Sequence, residues 1–93
     1  MKLYYTKRAR REIRLTVRWY ELKQRGLGIR FLDSIEGTIK QLSIHPFLYM
    51  IVYKKFRRCL LPKFPFSVFY TVENELTVIH SVFDNRQDPR KRP

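Results

Sequence analysis

The chain has 93 residues, with 20 Lys and Arg against 8 Asp and Glu, a net charge of +12, and 44% apolar content rich in Phe and Tyr. One core fits in that length and a second does not, while the apolar and aromatic share excludes a disordered basic tail. Cys59 is the only cysteine, so no internal disulfide forms; together with two distant histidines it argues against a metal centre and suits a reducing cytoplasm.

No apolar run reaches the ~20 residues of a membrane span. The start, Met1-Lys2-Leu3-Tyr4-Tyr5, followed by Lys7 and Arg8, lacks the apolar region of a signal peptide. A soluble, cytoplasmic protein without membrane association is expected.

In chain order, residues 3–5 read as a short strand and Thr6 as the N-cap of a helix starting near Lys7. Ala9, Ile13, Val17 and Tyr20 recur at helical steps and form its apolar face, with Lys7, Arg11, Arg14 and Arg18 on the opposite side. Gly26-Leu27-Gly28 breaks this helix. A second follows, with Phe31, Leu32, Ile35, Ile39 and Leu42 as its stripe, and ends before His45-Pro46. So short a break predicts an antiparallel helical hairpin, with Trp19 and Tyr20 packed near its tip.

From residue 49 the period changes to two. Met50–Tyr53, Arg57–Leu61, Phe66–Val72 and Leu76–Phe83 are rich in β-branched and aromatic residues, and Glu73-Asn74-Glu75 is a hairpin turn. The predicted fold is α+β: an N-terminal strand and a helical hairpin packed on a three- to four-stranded antiparallel sheet. One domain covers residues 1–89, and residues 90–93 form a mobile basic tail.

Charge is uneven. Residues 1–30 carry +8, residues 54–63 carry +5 and residues 86–93 carry +3. The central block reads as a basic strand, Tyr53 to Leu61, bearing Lys54, Lys55, Arg57 and Arg58, with Lys63 in the loop beyond it. Cations spread over a sheet suit an anionic partner, either a nucleic acid or an acidic protein segment.

Most enzyme chemistries lack their residues here. Gly26 and Gly28 lie between helices and are not followed by a phosphate-loop Lys-Ser or Lys-Thr pair. Asp84 and Asp88 sit beside Arg86 and the basic tail and read as surface ion pairs. His45 and His80 read as exposed or structural, and Cys59 as a buried strand residue rather than an activated thiol. One route stays open without metal or cofactor: RNA supplies its own 2′-hydroxyl nucleophile, so converging cations can stabilise its cleavage.

Three motifs recur together: Gly28-Ile29-Arg30-Phe31-Leu32 opening the second helix, Arg57-Arg58-x-Leu60-Leu61-x-x-Phe64-Pro65-Phe66-x-Val68-x-Tyr70, and Val82-Phe83-x-x-Arg86-x-Asp88-Pro89. With the order of elements, they resemble the RelE/ParE superfamily of toxins from bacterial type II toxin–antitoxin (plasmid stabilisation) modules, over residues 3–89. The resemblance implies inactivation by a cognate antitoxin, which would account for the charge.

RelE-like members cleave mRNA in the ribosome with a basic-x-basic pair on the middle strand, an arginine on the next, and a late tyrosine or histidine. Arg58 matches the first position. Leu60 stands at the second, Ser67 replaces the arginine, and no Tyr or His follows His80. Asp84 occupies a position where many relatives carry histidine. ParE-like members bind DNA gyrase instead, and the Phe-Pro-Phe and Arg-x-Asp-Pro motifs look more like theirs.

The resemblance therefore implies a growth-arresting, gyrase-binding toxin with no cofactor, whose antitoxin or target contacts are Lys54, Lys55, Arg57, Arg58, Lys63 and Arg86. The alternatives are a ribosome-dependent endoribonuclease acting on mRNA through Arg58, Lys63 and Arg86, with Asp84 assisting, and an inactivated toxin or nucleic-acid-binding module.

Overall fold

A computed structural model describes all 93 residues, Met1–Pro93. Strand β1 (Lys2–Tyr5) leads into helices α1 (Lys7–Lys23) and α2 (Leu27–Ile44), followed by strands β2 (Ile51–Tyr53), β3 (Phe56–Leu60), β4 (Phe66–Glu73) and β5 (Leu76–Asp84). A 3-10 turn, Pro89–Lys91, closes the chain. Thr6 caps α1 as its sequence demands, its hydroxyl accepting from the Ala9 amide.

At the other end of α1, Gly26 takes a left-handed φ of 84°. The carboxylate of Glu21 then accepts from the amides of Gly26 and Gly28, doing for α2 what an N-cap side chain would.

The sheet order is β1-β5-β4-β3-β2. It has five strands rather than three or four, and it is mixed: β2 to β5 are an antiparallel meander, but β1 pairs parallel with β5, from Lys2 opposite Leu76 to Tyr5 opposite Ile79. The helical hairpin between β1 and the meander brings the chain start back beside the last strand in its own direction. Asn74 and Glu75 form the β4–β5 turn, both at positive φ, as a two-residue hairpin requires.

Two further expectations change. The continuous basic strand from Tyr53 is broken, because Lys54 turns to a φ of 48° and Lys54-Lys55 become a hairpin between β2 and β3. The C-terminal residues do not trail away from the body. The Arg8 guanidinium donates to the Lys91 carbonyl, and Arg92 lies 5.7 Å from the Phe69 ring.

The core lies between the helices and one sheet face: Phe31, Ile35, Ile39 and Leu42 of α2 meet Cys59, Val68, Tyr70, Ile79 and Val82. Tyr20 belongs to it, stacking near Phe31 and Phe64, but Trp19 does not; it is 45% exposed on the rim of a cleft. Adjacent helical positions differ by about 100°, so with Tyr20 pointed at the core Trp19 falls to the edge of the buried face.

Beyond the end of β1, the outer edge of β5 is covered by α1. Glu12 reaches it and accepts from the Ser81 hydroxyl at 2.7 Å and the Val82 amide at 3.1 Å. Replacing Glu12 with Ala orphans both donors at a buried edge. The expected cost is about 1–3 kcal/mol, read as a thermal midpoint lower by roughly 4–8 °C per kcal/mol, with Glu12→Gln recovering part of it.

Candidate functional site

Alternation along β3 decides where its cations point. Cys59 and Leu61 face the helices, so Arg57 does too, while Arg58 faces the far side with Phe56 and Leu60. The two neighbouring arginines therefore do not form one patch.

Arg57 donates from Nη1 to the Tyr49 carbonyl at 2.6 Å and lies 5.1 Å from the Phe47 ring. Arg58 donates from Nε to Ser67 Oγ at 2.8 Å and reaches Asn85 Oδ1 from Nη2 at 3.4 Å; the Ser67 hydroxyl donates to the same Asn85 oxygen. Both guanidiniums are half-buried, and all their acceptors are neutral. Neither has a carboxylate within ion-pair distance. Each is a positioned charge without a counter-charge.

The other candidates separate further. Lys54, in the β2–β3 turn, sits 5.2 Å from the Tyr53 ring, and its neighbour Lys55 pairs with Glu73 at 3.2 Å. Lys63 is exposed in the β3–β4 loop with a positive φ of 66°. Arg86 leaves the end of β5 and is committed to Asp84, with Nε and Nη2 each 2.9 Å from a carboxylate oxygen. Burial acts against the Asp84 carboxylate, but the hydrogen bonds and charge of Arg86 hold it below the usual range. Asp88 and Arg90 form a second local pair. Both aspartates are thus the ion pairs their neighbours suggest.

Arg86 also lies 5.8 Å from the Trp19 ring, on the rim of a cleft of about 510 Å³ between α1 and the end of β5. Sequence reasoning missed Trp19 as a surface feature. It also missed Asn85 and Tyr49 as the groups that orient Arg58 and Arg57.

Cys59 is buried and its thiol pushed up by desolvation, which makes it an inert core residue. His80 is the extra residue where the β4–β5 register shifts. Its Nε2 is 2.8 Å from Thr71 Oγ1, and Thr71 donates to Glu73 at 2.6 Å. Since the carboxylate only accepts, Thr71 spends its proton there and His80 Nε2 must carry the hydrogen.

Burial lowers His80 below its ordinary value, with Glu73 opposing and Lys55 assisting. In the window between the depressed folded value and the unfolded value near 6.5, the unfolded chain binds more protons. Stability is therefore full above pH 6.5 and falls as the pH drops through that window. Thermal melts at pH 7.5 and 5.5 should show a drop that His80→Gln reduces.

These elements match known proteins in sequence and in fold. Residues 3–89 match the family model described as the ParE toxin of the type II toxin–antitoxin system, parDE. The chain belongs to the ParE toxin family. Among solved structures, a chain of the chromosomal ParDE toxin–antitoxin system from P. aeruginosa superimposes with a TM-score of 0.67 at 16% identity, covering 90% of this ParE chain and 95% of its own. No curated protein matches the sequence. Membership in the ParE family agrees with the mixed sheet and helical hairpin, and no helix is long and apolar enough to cross a membrane.

Proposed function

We propose that this ParE-family chain is held inactive in the cytoplasm by a cognate acidic antitoxin and, when released, arrests growth by binding DNA gyrase rather than by cutting RNA. The observation that carries the reading is the pair Arg57 and Arg58, half-buried guanidiniums oriented by neutral acceptors alone. A partner carboxylate would complete a charge-assisted, bidentate contact that the chain leaves open on each face of β3. Arg86 is a weaker contact, since Asp84 already occupies it.

Binding is favoured over cleavage by what surrounds Arg58. Leu60 and Ser67 are direct cross-strand partners, so the two positions that would add cations are an apolar residue and a hydroxyl facing each other. Asp84 is locked to Arg86, and His80 is tied to Thr71. The two groups that Arg58 contacts, the Ser67 hydroxyl and the Asn85 amide, are neither general acid nor general base for moving the 2′-hydroxyl proton.

Two assays separate the readings. With purified gyrase and relaxed plasmid, the chain should block supercoiling; after induction in cells, primer extension on translated mRNA should show intact transcripts. Discrete cuts within codons, with supercoiling unaffected, would replace this reading by the endoribonuclease one.

A further inference from the structure

The segment between α2 and the β2–β3 turn is unusually apolar for a surface. Phe47, Leu48, Met50, Ile51, Val52 and Tyr53 are each at least half exposed. β2 is also a sheet edge, paired on one side only, with β3. An exposed apolar edge presents unpaired amides and carbonyls and is a template for another strand.

Beside it lies a cavity of about 360 Å³ whose wall shares Val52 and Tyr53 with the edge. Phe56 and Phe69 make the rest of its apolar lining, and Arg90 and Arg92 of the C-terminal segment stand on its rim. Lys54 and Lys55 follow the edge directly, and Arg57 lies over Phe47 at its start. Lys55 and Arg90 are already paired with Glu73 and Asp88. The cations without a carboxylate are therefore Arg57 at the start of the edge, Lys54 at its end and Arg92 beside the cavity. The edge is apolar along its length and cationic at both ends.

From these features we infer that β2 is a docking edge for an extended, acidic segment of a partner protein, which adds as a sixth strand and sends an apolar side chain into the cavity. The inference rests on the acidic-partner reading above and assigns its backbone-pairing site. A second copy of the chain is a poor occupant, because each copy carries +12 and the edge is flanked by cations. An extended segment with alternating acidic and apolar residues fits all three features: main-chain bonds to the edge, one side chain in the cavity, and carboxylates toward the flanking cations.

The probe is a capped eight-residue peptide, Glu-Val-Glu-Leu-Asp-Val-Glu-Leu, labelled for anisotropy. It should bind the intact chain and slow amide exchange at residues 50–53. A version with alternate backbone nitrogens methylated should bind at least tenfold more weakly, as should the parent peptide to Ile51→Asn/Val52→Asn. Those residues are exposed, so the variant is expected to keep the wild-type amide spectrum outside the edge. Arg92→Gln should weaken binding about threefold.

Three results overturn the inference. The first is binding that survives both methylation and the edge variant but is lost on Arg57→Glu/Arg58→Glu; the acidic-partner reading would then stand without the edge. The second is a chain dimer at micromolar concentration that the edge variant dissolves. The third is no binding of the probe to the intact chain.

Discussion

Substituting Ala for Gly28 should destabilise the chain by about 1–3 kcal/mol, through overpacking of a close helix crossing. A Cβ at Gly28 would stand 2.5 Å from the Val17 carbonyl oxygen and 3.0 Å from both Glu21 Cβ and Glu21 Oε1. The nearest atom is backbone, so no side-chain rotation relieves the clash and α1 and α2 must separate. That separation also pulls at the Gly28 amide, which donates to Glu21 at 3.0 Å.

Gly37 is the internal control. It lies in the middle of α2 with nothing within 4 Å of a built Cβ, so Ala there should stabilise by about 0.5–1 kcal/mol from helix propensity. Two identical substitutions in one helix should therefore move the urea midpoint in opposite directions. If Gly28→Ala were neutral, the close approach of the helices at the hairpin would be wrong.

That crossing shows what was legible in the chain. Thr6, the Gly26–Gly28 break and His45-Pro46 mark the helix ends because each carries a local backbone reason, and the apolar stripes then fix which faces meet. The partner of β1 was not legible. Lys2–Tyr5 gives only a short alternation, and its pairing with Leu76–Ile79 is set by the path of the intervening hairpin.

The Lys54-Lys55 turn was equally hidden, since lysine is no turn-former and its positive φ comes from the geometry of the β2–β3 reversal. Within the site, the opposite facing of Arg57 and Arg58 follows from strand periodicity alone and could be read directly. Of their neutral acceptors, Ser67 sits on the regular strand β4, but the Tyr49 carbonyl and the Asn85 side chain are brought in by tertiary packing from segments without a regular period and could not be read.

Reversing both charges, Arg57→Glu with Arg58→Glu, should weaken binding of the acidic antitoxin proposed above by three orders of magnitude or more. Losing one member of a buried, hydrogen-bonded charge pair costs about 2–5 kcal/mol, or roughly 30-fold and upward each. Reversal adds repulsion to that loss. The two should combine nearly additively, because they face opposite sides of β3 and share no acceptor.

Arg86→Glu should cost much less, since its guanidinium is already neutralised by Asp84 and is more than half exposed. Titration calorimetry at two ionic strengths tests the ordering. Losses concentrated at Arg57 and Arg58 that persist in high salt would mark desolvated contacts. Equal, salt-sensitive losses at all three positions would mean that the +12 field alone attracts the partner and that the positioned guanidiniums have no special part.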